Sequence, residues 1–226
     1  MATKNLGTIV LDPGHGGTTK VGGSSPNNAV SISGVKEKAL ALDFCTILKG
    51  ELATQAASAG ESVTVVMTRT SDVNVGITAR AAFAAKNKAK LFLSLHFNGS
   101  VTPSARGPET FFRAKSNGNV NLAADMAFAK KVHQGLLDGI KAVDPTVKDR
   151  GVKPDTATGP GSLGTLNDAA LGNTAGGKCS AAYIEAEFIT NPTVEKVLIS
   201  GPGAVANQRK VMASVAKAML EHIRTL

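Results

Sequence analysis

Three side chains in this sequence of 226 residues have the types and positions to hold a metal ion, and a fourth carboxylate falls where chemistry would follow. His15 sits in "LDPGHGG" (11–17), where an apolar run gives way to a histidine between Pro-Gly and two further glycines. His96 ends the apolar run "KLFLSLH", and Glu185 lies within "YIEAEF" alongside the apolar Ile184 and Phe188. Glu37 comes from a helical stretch and shares a face with Leu40, Ala41 and Phe44, so its carboxylate is aimed inward. A bare carboxylate facing a core costs on the order of several kcal/mol unless a basic group or a metal meets it. Two neutral imidazoles and one carboxylate from separate elements make a three-ligand zinc set, with the fourth tetrahedral position left to water.

Each residue also has a plainer reading. His15 taken singly is a turn residue bonded to backbone, His96 a satisfied strand-end histidine, and Glu37 a helix N-terminal charge favoured by the dipole. Their joint placement favours a site. His133 and His222 fall on predicted helices away from the strand ends and are read as structural.

The elements that must position these residues follow from hydrophobic periodicity. "GTIVLD" (7–12) is a short buried strand, followed by a glycine-rich loop to Gly34. Apolar residues at Leu40, Phe44, Ile47, Leu48 and Leu52 predict a helix from Val35 to about Ala59. "SVTVVMT" is a strand, "GITARAAFAAKNK" a helix opening near Gly76, and "KLFLSLH" a third strand. This βαβαβ alternation predicts an α/β fold with a mainly parallel sheet and helices on its faces, where ligands bind beyond the carboxyl ends of the strands.

"GPETFFRA" (107–114) is a further strand, and a long helix carries Leu122, Met126, Val132, Leu136 and Ile140 in step. Residues 144–178 are rich in Gly, Pro, Thr, Asp and Asn and read as a long loop, with one short element around Leu166 to Leu171. A loop of that length inside a domain is usually functional or mobile. "AAYIEAEF" resumes as a strand, and Ala204–Leu226 closes the chain as a helix. With no internal repeat and no linker to a second compositional unit, residues 1–226 are expected to form a single domain.

Composition narrows the partners. A net charge of +8 calls for an anionic partner: nucleic acid, a membrane surface or an acidic polymer such as bacterial cell wall. Aromatic content of 4% leaves few platforms for stacking bases, so no specific nucleic-acid partner is expected. Lys36, Lys38, Lys86, Lys88 and Lys90 are read as a solvated face. Cys45 and Cys179 sit among apolar or small residues and are expected to be reduced packing thiols. No stretch is long and apolar enough for a transmembrane segment, and "MATKNLG" lacks the features of a secretory signal, so cytoplasmic synthesis is expected. Nothing specifies an assembly, and a monomer is the expectation.

The motifs "IVLDPGHGG", "SGVKEKALAL", "MTRTSDVNVGITARAAFAAKNKAKLFLSLHFN", "RGVK" and "YIEAEFITNP" resemble, in order and spacing, the zinc-dependent N-acetylmuramoyl-L-alanine amidases of the amidase type 3 family. The likeness runs from about Gly7 to the last helix. It implies one zinc ion held by His15, Glu37 and His96, with Glu185 as the catalytic base, on a six-stranded sheet flanked by helices. It also implies hydrolysis of the amide between N-acetylmuramic acid and L-alanine of peptidoglycan; the expected cytoplasmic synthesis, the basic charge and the lack of a wall-anchoring repeat suggest a lysin that reaches the cell wall after release, as phage endolysins do. A peptidoglycan-binding module without turnover and a zinc peptidase of the stem peptide are the alternatives. All four site residues being present disfavours the silent module.

Two departures from the family pattern stand out. Glu187 occupies a position two places after Glu185 where such proteins commonly have a small residue, and strand alternation puts both on one face. Motif position favours Glu185 as the base, with Glu187 as a rim residue or ion-pair partner. The loop after "RGVK" is longer and richer in glycine than expected. Arg69, Asp72 and Arg80 are read as an ion-paired turn and helix start, Asp12 as a support for the His15 turn, and Asn98 equally as a substrate contact or a turn cap.

Overall fold

Strands β1 (Lys4–Pro13), β2 (Glu61–Met67), β3 (Leu91–Asn98), β4 (Glu109–Phe112), β5 (Val152–Pro154) and β6 (Ser180–Phe188) join in one sheet ordered β2-β1-β3-β6-β4-β5. These come from a computed structural model that describes residues 3–174 and 179–226. The predicted loop therefore extends, at residues 175–178, outside the described residues. Pairing is parallel from β2 through β1 and β3 to β6, antiparallel between β6 and β4, and parallel between β4 and β5. The sheet is thus mixed; β1, β2 and β3 of its parallel part come from the anticipated βαβαβ run, and β6 extends it.

Alternation along the strands sorts the side chains between two faces. Ile9, Leu11, Leu91, Leu93, Leu95, Ala182 and Ile184 join a core with helices α1 (Glu37–Ser58), α3 (Leu122–Lys141) and α5 (Ala204–Ile223). Val10, Phe92, Ala181 and Tyr183 face the other way, onto helix α2 (Ile77–Lys86) and the segment holding Leu166 and Leu171. The second face is the thinly covered one. Asp12, Ser94, His96 and Glu185 continue the same alternation toward the carboxyl ends, where Arg80 of α2 pairs with Asp12 and the sheet bears polar groups.

Three features escaped the sequence pattern. β1 starts at Lys4, because parallel pairing with Glu61 and Ser62 recruits residues too polar to read as a strand. β5 is three residues long and pairs with β4 inside the predicted loop, too short to show a period. A short helix, α4 (Pro192–Val194), is capped by the Asn191 side chain, which accepts from the Thr193 and Val194 amides, and runs into a π-helical turn at Glu195–Ile199.

Helices α3 and α5 approach through glycine. A Cβ on Gly139 would stand 2.8 Å from Cα and 2.9 Å from the carbonyl oxygen of Val211, atoms that cannot swing aside. In an isolated helix Gly→Ala gains roughly 1 kcal/mol. Here overpacking of this kind costs about 1–3 kcal/mol. Gly139→Ala is therefore expected to lower the stability measured by urea unfolding; a stabilised variant would show that the two helices part freely.

Candidate metal centre

The loop carrying His15 has carbonyl groups that no strand or helix satisfies, and two buried arginines supply their donors. Arg80 donates to the carbonyls of Pro13 and His15, each at 2.7 Å, and to Asp12 Oδ1 at 2.8 Å. Arg69 donates to the carbonyls of Pro13 at 3.0 Å and Gly14 at 2.7 Å, and also to Lys38 at 2.6 Å. Asp12 is fully buried and accepts in addition from Thr68 Oγ1 and Ser94 Oγ. It thus supports the His15 turn through Arg80, while Arg69 and Arg80 hold the turn's own carbonyls.

The clamped turn is conformationally unusual. His15 has φ of 59°, a left-handed conformation that costs a non-glycine residue on the order of 1–3 kcal/mol. Gly16 follows at φ 134°, where a side chain would run into the Val73 carbonyl. Lys38, expected on a solvated face, is buried instead, donating to the Gly17 carbonyl and to Asp72 Oδ2, each at 2.7 Å. Asp72 in turn accepts from the Gly17 amide at 2.8 Å.

His15, Glu37 and His96 meet at the end of this turn. His15 Nε2 lies 3.0 Å from Glu37 Oε1, His96 Nδ1 lies 3.1 Å from the same oxygen, and the two nitrogens are 3.2 Å apart. All three residues are buried. His15 Nδ1 lies 3.0 Å from the Ser25 carbonyl, so its proton belongs there and Nε2 turns a lone pair into the triangle. Glu37 is held by the amides of Ala29 and Phe97 at 3.1 and 3.2 Å. Burial raises its pKa, but hydrogen bonds and charge from His15 and His96 outweigh that and bring it down to about 2. Burial lowers the pKa of His96.

Ring N–H groups can serve Glu37 Oε1 as donors, and the same three atoms are also spaced as the ligands of one ion. Ligand atoms roughly 2.0–2.1 Å from a common tetrahedral centre stand about 3.3 Å apart, close to the observed sides. The triangle therefore has the dimensions and donor set of a site that could hold a metal ion, and it is the group of this kind found among the described residues.

Glu185 lies on the strand next to His96, its direct Cα partner across β3 and β6. Its Oε1 accepts from the Tyr183 hydroxyl at 3.2 Å, and its Oε2 is buried with no hydrogen-bond partner. Burial and the nearby Glu37 charge push its pKa well above the usual carboxylate range, against the opposing Tyr183 bond. Tyr183 also stacks on the His96 ring at 4.4 Å. Alternation along β6 made Tyr183 visible in the sequence, two residues before Glu185, but a tyrosine facing a sheet reads first as core.

Glu187 does not share this site. The β3–β6 register slips between His96–Glu185 and Asn98–Phe188, one extra residue on β6 that ends the simple alternation. Glu187 is fully buried, accepts from the Gly107 amide at 2.6 Å and lies 3.8 Å from Arg106. It is an ion-pair partner rather than a rim residue. His133 is likewise structural, bonded to Thr110 Oγ1 at 2.9 Å and Asp149 at 2.8 Å, and His222 packs against Phe128. Cys45 and Cys179 are free and buried.

Three openings surround the centre. One, of about 470 Å³, is lined by Glu37, Glu185, Asn98, Ser100 and Thr190. A second, of about 360 Å³, takes in His15, His96, Arg80 and Leu163. A third, of about 470 Å³, takes in Glu185, Asn98, Phe188, Glu109 and Arg150. Pro160 and Leu163 of the glycine-rich loop wall the last two. That loop is tied down: Asp155 accepts from the Ala114 and Leu163 amides, and Asn117 donates to the Gly161 carbonyl at 2.9 Å.

The chain is similar to known proteins in both sequence and fold. The family model described as N-acetylmuramoyl-L-alanine amidase matches residues 9–221. The chain is similar to N-acetylmuramoyl-L-alanine amidase AmiC of Neisseria meningitidis serogroup B, with 26% identity over 96% of this chain and 53% of the relative. It is 34% identical to the endolysin of Bacillus phage SPP1 over 64% of this chain and 46% of that protein. It therefore spans about half the length of each of these curated relatives. In fold it resembles the catalytic domain of CwlV, an N-acetylmuramoyl-L-alanine amidase from Bacillus (Paenibacillus) polymyxa var. colistinus. The TM-score is 0.72 at 22% identity, covering 97% of this chain and 99% of that one.

Gly14 offers a test that leaves every candidate ligand in place. A Cβ there would lie 2.3 Å from the His96 ring. Gly14→Ala is expected to displace His96 and weaken zinc binding at least tenfold in a competition assay with a chromophoric chelator, in the range seen when groups supporting ligands are lost. Unchanged affinity would mean that His96 is not a ligand.

Proposed function

The chain belongs to the N-acetylmuramoyl-L-alanine amidase family, and from that premise we propose that residues 1–226 act as one zinc-dependent catalytic domain. It cleaves the amide between the lactyl group of N-acetylmuramic acid and L-alanine in peptidoglycan. The observation that carries this reading is the buried triangle of His15, Glu37 and His96 beside a carboxylate with an unpartnered oxygen.

His15, Glu37 and His96 are the residues that would hold the zinc. Zinc bound there supplies a Lewis acid that polarises the carbonyl and acidifies water. The protein's own groups do the rest. Ser25 fixes the tautomer of His15, and Ala29 and Phe97 fix the Glu37 carboxylate by their amides, so the ligand set is oriented before anything binds. Tyr183 holds one oxygen of Glu185, a residue that lines the opening, and leaves Oε2 without a hydrogen-bond partner. Glu185 takes a proton from the attacking water and returns it to the amide nitrogen, which cannot depart as an anion.

The basic surface, at +8 overall, favours approach to an anionic wall polymer. No helix among the described residues is long and apolar enough to cross a membrane. The likeness to a phage endolysin supports a lysin that meets the wall after release.

Glu185→Gln keeps the size and the Tyr183 contact but cannot take a proton. Turnover of purified peptidoglycan is expected to fall about a hundredfold or more while one zinc per chain remains by metal analysis. Full activity would end the role of Glu185 as base. Mass spectrometry of the wild-type digest should find lactyl ends without peptide and new L-alanine amines; other new amines would instead indicate a peptidase.

A further inference from the structure

The amidase reading leaves open how the enzyme tells one end of its substrate from the other, and the charges around Glu185 bear on that. Among the described residues lining the three openings, the lysine and arginine side chains are Arg80 and Arg150. Arg80 is spent on Asp12, Val75 and the His15 turn. Arg150 is not. Its Nε is paired with Glu109 Oε1, its guanidinium lies over the Phe188 ring at 5.0 Å, and its side chain is 39% exposed. No protein acceptor among the described residues meets its two terminal nitrogens.

Glu109 holds this arginine in place. It is buried, stands directly opposite Glu185 across β4 and β6, and also binds Lys153 Nζ at 2.8 Å. Glu109 is shared between Arg150 and Lys153, so it anchors the arginine without taking up its remaining donors. With Nε anchored on Glu109 and the guanidinium carbon over the Phe188 ring, the two terminal nitrogens remain as the donors of a fork that matches a carboxylate.

Resting on the proposed amidase activity, we propose that Arg150, oriented by Glu109 and Phe188, is a specificity residue that binds a carboxylate of the stem peptide. The chemistry of the substrate supports this assignment. The lactyl carboxyl of the sugar is consumed in the scissile amide, so the glycan side is uncharged, whereas the peptide side carries free carboxylates. The opening lined by Glu185, Asn98, Ser100 and Thr190 has no lysine or arginine and suits the neutral sugar. Arg150 thus sets the direction in which the substrate lies across Glu185.

The test uses the full chain loaded with zinc. Its substrates are N-acetylmuramoyl-L-Ala-D-Glu and the same compound with both carboxyls amidated. The wild type is expected to favour the charged substrate by about tenfold in kcat/KM, mainly through KM. Arg150→Ala should erase that preference by weakening only the charged substrate, with zinc content and melting temperature unchanged; Arg150→Lys should restore part of it. Equal losses on both substrates, or a preference that survives Arg150→Ala, would overturn the proposal. Calorimetric binding of the two compounds to the Glu185→Gln protein, with and without Arg150→Ala, gives a readout that needs no turnover. Discrimination in binding without hydrolysis by the wild type would refute the amidase reading and keep the carboxylate clamp; hydrolysis without discrimination would do the reverse.

Discussion

The site depends on a loop whose backbone has nowhere to send its carbonyls except into two buried guanidinium groups. Residues 13–15 leave the sheet and turn sharply, so their oxygens lose the ladder that satisfied β1. Arg69 and Arg80 replace it. Burying two cations is unfavourable unless each donor is used. Here Asp12 and the carbonyls of Pro13, Gly14, His15, Lys38, Ser71 and Val75 take up most of the fork positions. The strained φ of His15 persists because these bonds over-determine it, and the position of the histidine is thereby fixed.

The same division of labour continues outward. Glu37 opens α1, yet its carboxylate is satisfied by amides from Ala29 and Phe97 rather than by its own helix. The first turn of α1 is consequently tied both to the glycine-rich loop and to the end of β3. Tyr183 serves His96 by stacking and Glu185 by a hydrogen bond, coupling a candidate ligand to the candidate base through one ring. Strands and the start of a helix carry Glu37, His96 and Glu185, and the arginine-clamped turn carries His15.

Charge is arranged to opposite ends around that centre. Burial first, and then the charges of Glu37 and Glu109, raise the pKa of Glu185. The cations that could relieve it are turned elsewhere: Arg80 toward the His15 turn, Arg150 and Lys153 toward Glu109. The result is a carboxylate that holds protons well beside a pocket edge that attracts anions. Both properties draw on β4 running antiparallel to β6, which sets Glu109 opposite Glu185.

Local sequence was enough for the parallel part of the sheet, the inward aim of Glu37 and the delivery of His15 and His96 to strand ends, because periodicity and turn chemistry are properties of neighbouring residues. The reduced, buried state of Cys45 and Cys179 was legible for the same reason. Lys38 was misread as solvated, since its burial depends on Asp72 and Gly17, which only the folded chain brings to it. The separation of Glu187 from Glu185 depended on a slip against β3, and β5 on a partner strand. Strand register and the pairing of distant charges are decided between segments far apart in the chain, so only the tertiary structure could fix which glutamate stands beside His96 and which is held by the Gly107 amide near Arg106.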